Sequence, residues 1–134
     1  MSQTNIDTAL LAFKYLAEGH KAGSFDDYIN LLTDDYIFYA PAGAFRGKNV
    51  GKAKAIEFYN AITVAKADFL FSDPIRVTAT GDTIVIEFTD EGTIMGIPYF
   101  NRIASSFDIK DGKVYGYREY FGDIDMDAMN KMQG

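Results

Sequence analysis

A chain of 134 residues, 48% of them apolar, is long enough for one domain with a core that needs no covalent staples. Its net charge of −6 argues against the basic face that a nucleic-acid backbone requires, and the absence of cysteine excludes disulfides, thiolate metal sites and a thiol nucleophile. Aromatic residues are abundant (11 Phe and 9 Tyr, with no Trp), and several fall on the strand that carries the main candidate below.

The opening stretch, MSQTNIDTALLAFKYLAEGHK, has no basic segment followed by an apolar core and a small-residue cleavage site. Ile6, Leu10, Phe13, Leu16 and Ala17 recur at helical spacing and predict an amphipathic helix over Thr8–His20, with His20 exposed near its end. Ala22-Gly23 stops it. Ser24 and Asp27 form a candidate capping box for a second helix whose apolar stripe is Phe25, Tyr28, Ile29 and Leu32. Tyr36–Ala40 is a short β-prone run closed by Pro41. After a glycine-bearing loop, Val50, Ala53, Ile56, Tyr59 and Ile62 mark a third helix with Asn49 as its candidate N-cap.

From there the period changes. Asp68–Thr80 reads as strand with a bulge or bend at Ser72-Asp73-Pro74, and Thr83–Ile94 and Pro98–Lys110 read as long strands. Asp111-Gly112 then signals a tight hairpin into Lys113–Phe121, and a short helix is expected from Met126. Helices followed by a strand meander predict an α+β fold: a single domain over 1–134 with three N-terminal helices packed on a strongly curved antiparallel sheet. No apolar run approaches the roughly 20 residues that span a bilayer, so a cytoplasmic protein with no membrane partner is expected.

In GKVYGYREYFGD, simple alternation puts Tyr115, Tyr117, Glu119 and Phe121 on one face. A carboxylate on the most aromatic face of its strand either borders water, paired with an arginine, or lines a pocket where lost hydration raises its pKa toward that of a general acid. In TIVIEFTDEG, Glu87 supplies a second pocket carboxylate if Val85, Glu87 and Thr89 face inward, and is a solvated sheet residue otherwise. Asn101, Ile103, Ser105 and Phe107 share a face of the preceding strand, where Asn101 and Ser105 offer polar contacts to a ligand. Tyr15, Tyr28, Tyr39, Tyr59 and Tyr117 each bring a hydroxyl to a cavity or pack in the core with that hydroxyl satisfied at its edge. GKNVGKA is one residue short of a P-loop, and Asp123, Asp125 and Asp127 lack the glycine and glutamate of a calcium loop.

The order of AGSFDDYINLLTDDYIFYAPAG, RGKNVGKAKAIEFY and GIPYFNRIASSFDIKDGKVYGYREYFGD resembles the NTF2-like superfamily, and within it SnoaL-like and ketosteroid-isomerase-like proteins, over Ala9–Asp123. The resemblance implies a cone with an apolar pocket and a homodimer through the outer sheet face. The isomerase base would fall at Ala40 and its oxyanion-hole pair at Leu16 and Ser105, so that mechanism has none of its groups here. Limonene-epoxide hydrolases carry an Asp at the position of Glu119. Their Arg and second Asp lie on the strand that here offers Glu87, Thr89 and Asp90, with no Arg. Phenazine-biosynthesis A/B proteins share a Tyr-x-Asn and place their acid glutamate at Glu119. The resemblance thus implies a small-molecule enzyme, of isomerase, cyclase or hydrolase type, acting on an apolar metabolite without cofactor or metal. Glu119 would transfer the proton, with Tyr117, Asn101, Ser105, Phe121, Ala40, Tyr15, Tyr59 and Glu87 as candidate substrate contacts. The alternative is a ligand-binding or interaction module that kept the pocket and lost catalysis.

Overall fold

The computed structural model describes residues 3–65, 68–94 and 96–123, with Ile94 described by its backbone alone. The helix expected from Met126 lies outside them. Three helices, α1 (Gln3–Ala22), α2 (Asp26–Ile29) and α3 (Lys52–Val64), pack against seven strands: β1 (Leu32–Ala40), β2 (Gly47–Val50), β3 (Asp68–Phe71), β4 (Arg76–Thr80), β5 (Thr83–Ile94), β6 (Ile97–Lys110) and β7 (Lys113–Phe121). The sheet runs β2-β1-β7-β6-β5-β3, with β4 also paired to β5. This is the expected α+β cone: a curled, unclosed sheet with helices on its concave side. No described helix is long and apolar enough to cross a membrane.

The sheet is mixed, where an antiparallel one was expected. β1 and β7 run parallel, with Phe38 opposite Tyr117 and Tyr39 opposite Arg118. These strands are joined by most of the chain, so no hairpin dictates their relative direction. The other pairings are antiparallel. Asp111 (φ 53°) and Gly112 (φ 74°) make the expected tight turn between β6 and β7 with both residues left-handed.

Several local expectations shift by a few residues. Leu32 begins β1 and is not part of α2, which is a single turn. Asn49 does not cap α3; it lies in the short strand β2, and its Nδ2 donates to the carbonyls of Phe45 (2.8 Å) and Gly47 (3.1 Å), tying down the preceding loop. Gly51 occupies the cap position, and Val50 is exposed. The buried face of α3 accordingly runs through Ala55, Phe58, Tyr59 and Ile62, and Ala53 and Ile56 point outward.

Two irregularities set the curvature. At Ser72-Asp73-Pro74 the chain leaves the β5 ladder and rejoins it at Ile75, as anticipated. The Ser72 N–H donates to the Thr89 carbonyl (2.8 Å), and Ser72 Oγ accepts from the Thr89 N–H (2.9 Å). In β7 the register slips between the pairs Asp108–Gly116 and Ile109–Val114, so Tyr115 is an extra residue. Tyr115 is therefore thrown to the outer surface and does not share a face with Tyr117, Glu119 and Phe121.

Gly92 is where β3 presses closest on β5: a Cβ there would overlap the Asp68 carbonyl oxygen. Gly92→Ala is expected to cost about 2–3 kcal/mol through backbone strain and loss of the β3–β5 contact. Urea unfolding checks this, and an unchanged midpoint would show that β3 is free to move aside.

Candidate active site

The concave face closes over a cavity of about 300 Å³, at the small end for a metabolite site. Each wall follows from an element's inward face. β1 contributes Phe38 and Ala40, α3 contributes Phe58, Tyr59 and Ile62, and α1 contributes Leu16 and His20. β3 adds Phe69 and Phe71, and the Pro41–Phe45 loop covers one side. The polar groups come from the meander: Asp90 of β5, Tyr99 of β6, and Tyr117 and Glu119 of β7 beside Phe121. The surround is therefore overwhelmingly aromatic, and those few groups hold the chemistry.

Hydrogen bonds divide them into two sets. Ser105 and Tyr117 hydroxyls lie 2.9 Å apart, and Tyr117 donates to Glu119 Oε1 at 2.9 Å. Because Tyr117 spends its proton on Glu119, the Ser105 hydroxyl is the donor to Tyr117. On the other side, the Asp123 backbone N–H donates to Asn101 Oδ1 (2.9 Å), and Asn101 Nδ2 donates to the Tyr99 oxygen (3.0 Å). Behind the wall, Tyr28 and Tyr36 share a fully buried hydroxyl pair at 2.8 Å, with the Tyr59 ring 5.4 Å from that of Tyr28.

Both carboxyls feel the loss of water. Asp90 is only 4% exposed, and its Oδ1 has no hydrogen-bond partner among the described residues. Burial, reinforced by the charge of Glu119, raises its pKa from 3.8 to about 7. Burial also raises Glu119, against the opposing pull of the Tyr117 hydrogen bond, which favours the carboxylate. Among the described residues no arginine or lysine lines this cavity to neutralise either group.

The cavity thus gathers Glu119, Tyr117, Tyr59, Phe121 and Ala40 from the residues singled out in the sequence. Asn101 and Ser105 are fully buried one layer behind, each bonded to a cavity tyrosine. Tyr15 packs half-buried against the core and is absent from the wall. Glu87 is corrected outright: Ile84, Ile86, Phe88 and Asp90 take the inward positions of β5, so Glu87 faces out and pairs with Arg76, which binds both its oxygens. His20 is likewise no exposed helix-end residue. Its ring sits 5.1 to 5.2 Å from those of Phe25, Phe69 and Phe71, at the cavity wall. Asp90 and Tyr99 are the site residues that sequence reasoning left unassigned. Asp90 was signalled by its alternation with Ile84, Ile86 and Phe88, and Tyr99 by sitting two residues before Asn101. Among the described residues no group of three or more His, Asp or Glu side chains is arranged to hold a metal ion.

A family model for the SnoaL-like domain matches residues 13–117. The chain belongs to the SnoaL-like family. This SnoaL-like chain is 37% identical to an NTF2-like protein from Anabaena variabilis ATCC 29413, covering 92% of the former and 94% of the latter with a TM-score of 0.85. It is also similar in fold to TerC co-crystallized with polyporic acid (18% identity, 97% and 98% covered, TM-score 0.76). A third similar structure is an LEH-like epoxide hydrolase from M. tuberculosis (21% identity, 93% and 88% covered, TM-score 0.65). No functionally curated protein matches the chain.

The raised pKa of Asp90 couples stability to pH. Its neutral form suits the folded state, so that contribution is whole below pH 3.8 and is lost as pH rises toward about 7. At pH 8, Asp90→Asn is expected to stabilise the fold by about 2–4 kcal/mol, with the gain shrinking toward pH 4. Urea titrations at the two pH values check this, and a pH-independent effect would contradict it.

Proposed function

We propose that this SnoaL-like protein is a cofactor-independent enzyme moving protons on a small apolar metabolite, in an isomerase- or cyclase-type reaction. The observation that carries the reading is the pair of carboxyls, Asp90 and Glu119, on the wall of one aromatic cavity that no described arginine or lysine lines. Ionising both in so dry a site is unfavourable, so near neutral pH one proton stays in the pair.

The hydrogen bonds give that proton an address. Tyr117 donates to Glu119 and stabilises it as the carboxylate, whereas Asp90 Oδ1 has no partner among the described residues and Asp90 holds its proton up to about pH 7. Glu119 is then the general base and Asp90 the general acid. Ser105 and Tyr117 hold Glu119 in place, and the rings of Phe38, Phe58 and Phe121 exclude water and bind the substrate's apolar surface. A base and an acid on one cavity wall suit abstraction of a proton at one substrate atom and return at another. Hydrolysis in the manner of the limonene-epoxide hydrolases is less well supported: the strand position that resemblance assigns to arginine offers none, and Ala40 stands where the water-holding asparagine belongs.

That same absence favours the second reading, a pocket that binds its ligand without turning it over. Location in the cytoplasm and assembly as a homodimer belong to the proposal. Exposed Phe100, Tyr115 and Tyr120 on the outer sheet surface support such a contact.

Glu119→Gln separates the two readings. Catalysis predicts a loss of kcat of about 10²–10⁴-fold with ligand affinity retained within a fewfold, measured by turnover across a panel of cyclic ketones and by binding titration. Turnover that survives the substitution would remove Glu119 from the chemistry.

A further inference from the structure

The two carboxyls of the cavity differ in what their neighbours supply. Glu119 is provided for: Tyr117 donates to its Oε1, and Ser105 stands behind Tyr117. Asp90 is not. The residue is only 4% exposed, yet its Oδ1 is the only buried carboxylate oxygen among the described residues without a hydrogen-bond partner. Its cross-strand neighbours are Phe71 of β3, which has nothing to donate, and Asn101 of β6, which bonds to Tyr99 and Asp123 instead. Such an oxygen calls for a donor from outside the chain. Charge decides which kind. The other titratable groups lining the cavity are His20 of α1, Tyr59 of α3, Tyr99 of β6, and Tyr117 and Glu119 of β7. The His20 ring is packed against Phe25, Phe69 and Phe71, and the charge of Glu119 makes Asp90 harder to ionise. A neutral donor would fill one lone pair of Asp90 and leave that repulsion in place, whereas a cation relieves both. The rings favour the same choice: Phe69, Phe71, Tyr99 and Phe121 line this cavity, with Tyr99 centred 5.0 Å from Phe69 and 6.4 Å from Phe121. Their π faces attract an ammonium group and repel an anion.

From this arrangement we infer that the cavity is an amine site: its ligand has an apolar ring body and one basic nitrogen, the protonated nitrogen donating to Asp90 and the body lying against the aromatic wall. This goes beyond the proton-transfer reading and holds whether the ligand is turned over or only held. If a free amine enters, Asp90 is the acid that protonates it. The Asp90 O–H bond breaks, an N–H bond forms on the nitrogen lone pair, and ammonium and carboxylate remain as an ion pair. If the amine enters already charged, the Asp90 proton leaves to solvent and the same pair results. Acidic ligands are excluded by the same two carboxyls.

Three naphthalenes of nearly one shape, suited to a cavity of about 300 Å³, make the test: 2-(aminomethyl)naphthalene, 2-(hydroxymethyl)naphthalene and 2-naphthoate. Binding is titrated by fluorescence at pH 8. The amine should bind about ten- to a hundredfold more tightly than the alcohol, and the acid more weakly than both. Asp90→Asn should bring the amine down to the level of the alcohol while alcohol binding stays within about threefold, which shows that the cavity is intact. Glu119→Gln should cost the amine less than Asp90→Asn does. A second readout follows the proton. At pH 6 the free protein holds a proton on Asp90, which titrates at about 7, so amine binding should expel close to one proton. Calorimetry in two buffers of different ionisation heat reads that number, which should fall at pH 8 and vanish in Asp90→Asn. Equal affinity for amine and alcohol, or failure of the amine to bind, overturns the amine site. An amine preference that survives Asp90→Asn, or a larger loss in Glu119→Gln, overturns the role of Asp90. Turnover in Glu119→Gln enters none of these ratios, so the proton-transfer reading and the amine site fail separately.

Discussion

Placing Asp90 and Glu119 on a wall of phenyl and phenol rings takes water from two groups that ordinarily ionise near pH 4, and the rest of the site answers that cost. A buried carboxyl can be neutralised by a basic partner, stabilised by donors, or left protonated. Among the described residues no arginine or lysine enters the cavity, and its one histidine, His20, is packed among the rings of Phe25, Phe69 and Phe71. The remaining two solutions are each used once: Glu119 receives the Tyr117 hydroxyl, and Asp90 holds its proton up to about pH 7. The proposed acid and base thus follow from one asymmetry in hydrogen bonding.

The fold makes the asymmetry possible. β5 and β6 pair over twelve positions from Thr83–Asp108 to Ile94–Ile97, and such a long ribbon bends around α1 instead of lying flat. The Ser72–Ile75 interruption lets β3 and β4 follow the two ends of β5 separately. The Tyr115 bulge rotates the end of β7 so that Tyr117, Glu119 and Phe121 face the cavity while Val114 remains in the core. A site that destabilises its own protein at high pH through Asp90 is the kind of local cost associated with function.

Legibility in the sequence tracked the range of the forces involved. Helix α1, the long strands β5 and β6 and the Asp111-Gly112 turn are written in local periodicity and turn chemistry, and they were readable. The parallel β1–β7 pair, the short strand β2 and the bulge at Tyr115 depend on contacts between distant segments, and they were not. Glu119 was legible because its own strand surrounds it with aromatic residues. Asp90 was overlooked in favour of Glu87 because the register of β5 decides which carboxylate turns inward. The decisive clue was present all the same, since Ile84, Ile86 and Phe88 share the parity of Asp90. His20 was misread because helix-end position says nothing of the strand, β3, that packs Phe69 and Phe71 over it. The roles of Asn101 and Ser105 were visible as polar residues on an apolar face, but their bonds to Tyr99 and Tyr117 required the fold.

The central claim is that two carboxyls share one proton in a dry cavity. It is tested most directly by carbon-detected NMR titration of the Asp and Glu carboxyl carbons, with Asp90→Asn and Glu119→Gln assigning the signals. The account predicts that Asp90 titrates near pH 7, that Glu119 titrates above its ordinary value, and that removing the Glu119 charge lowers the Asp90 midpoint. Both carboxyls titrating independently near their ordinary values would contradict it.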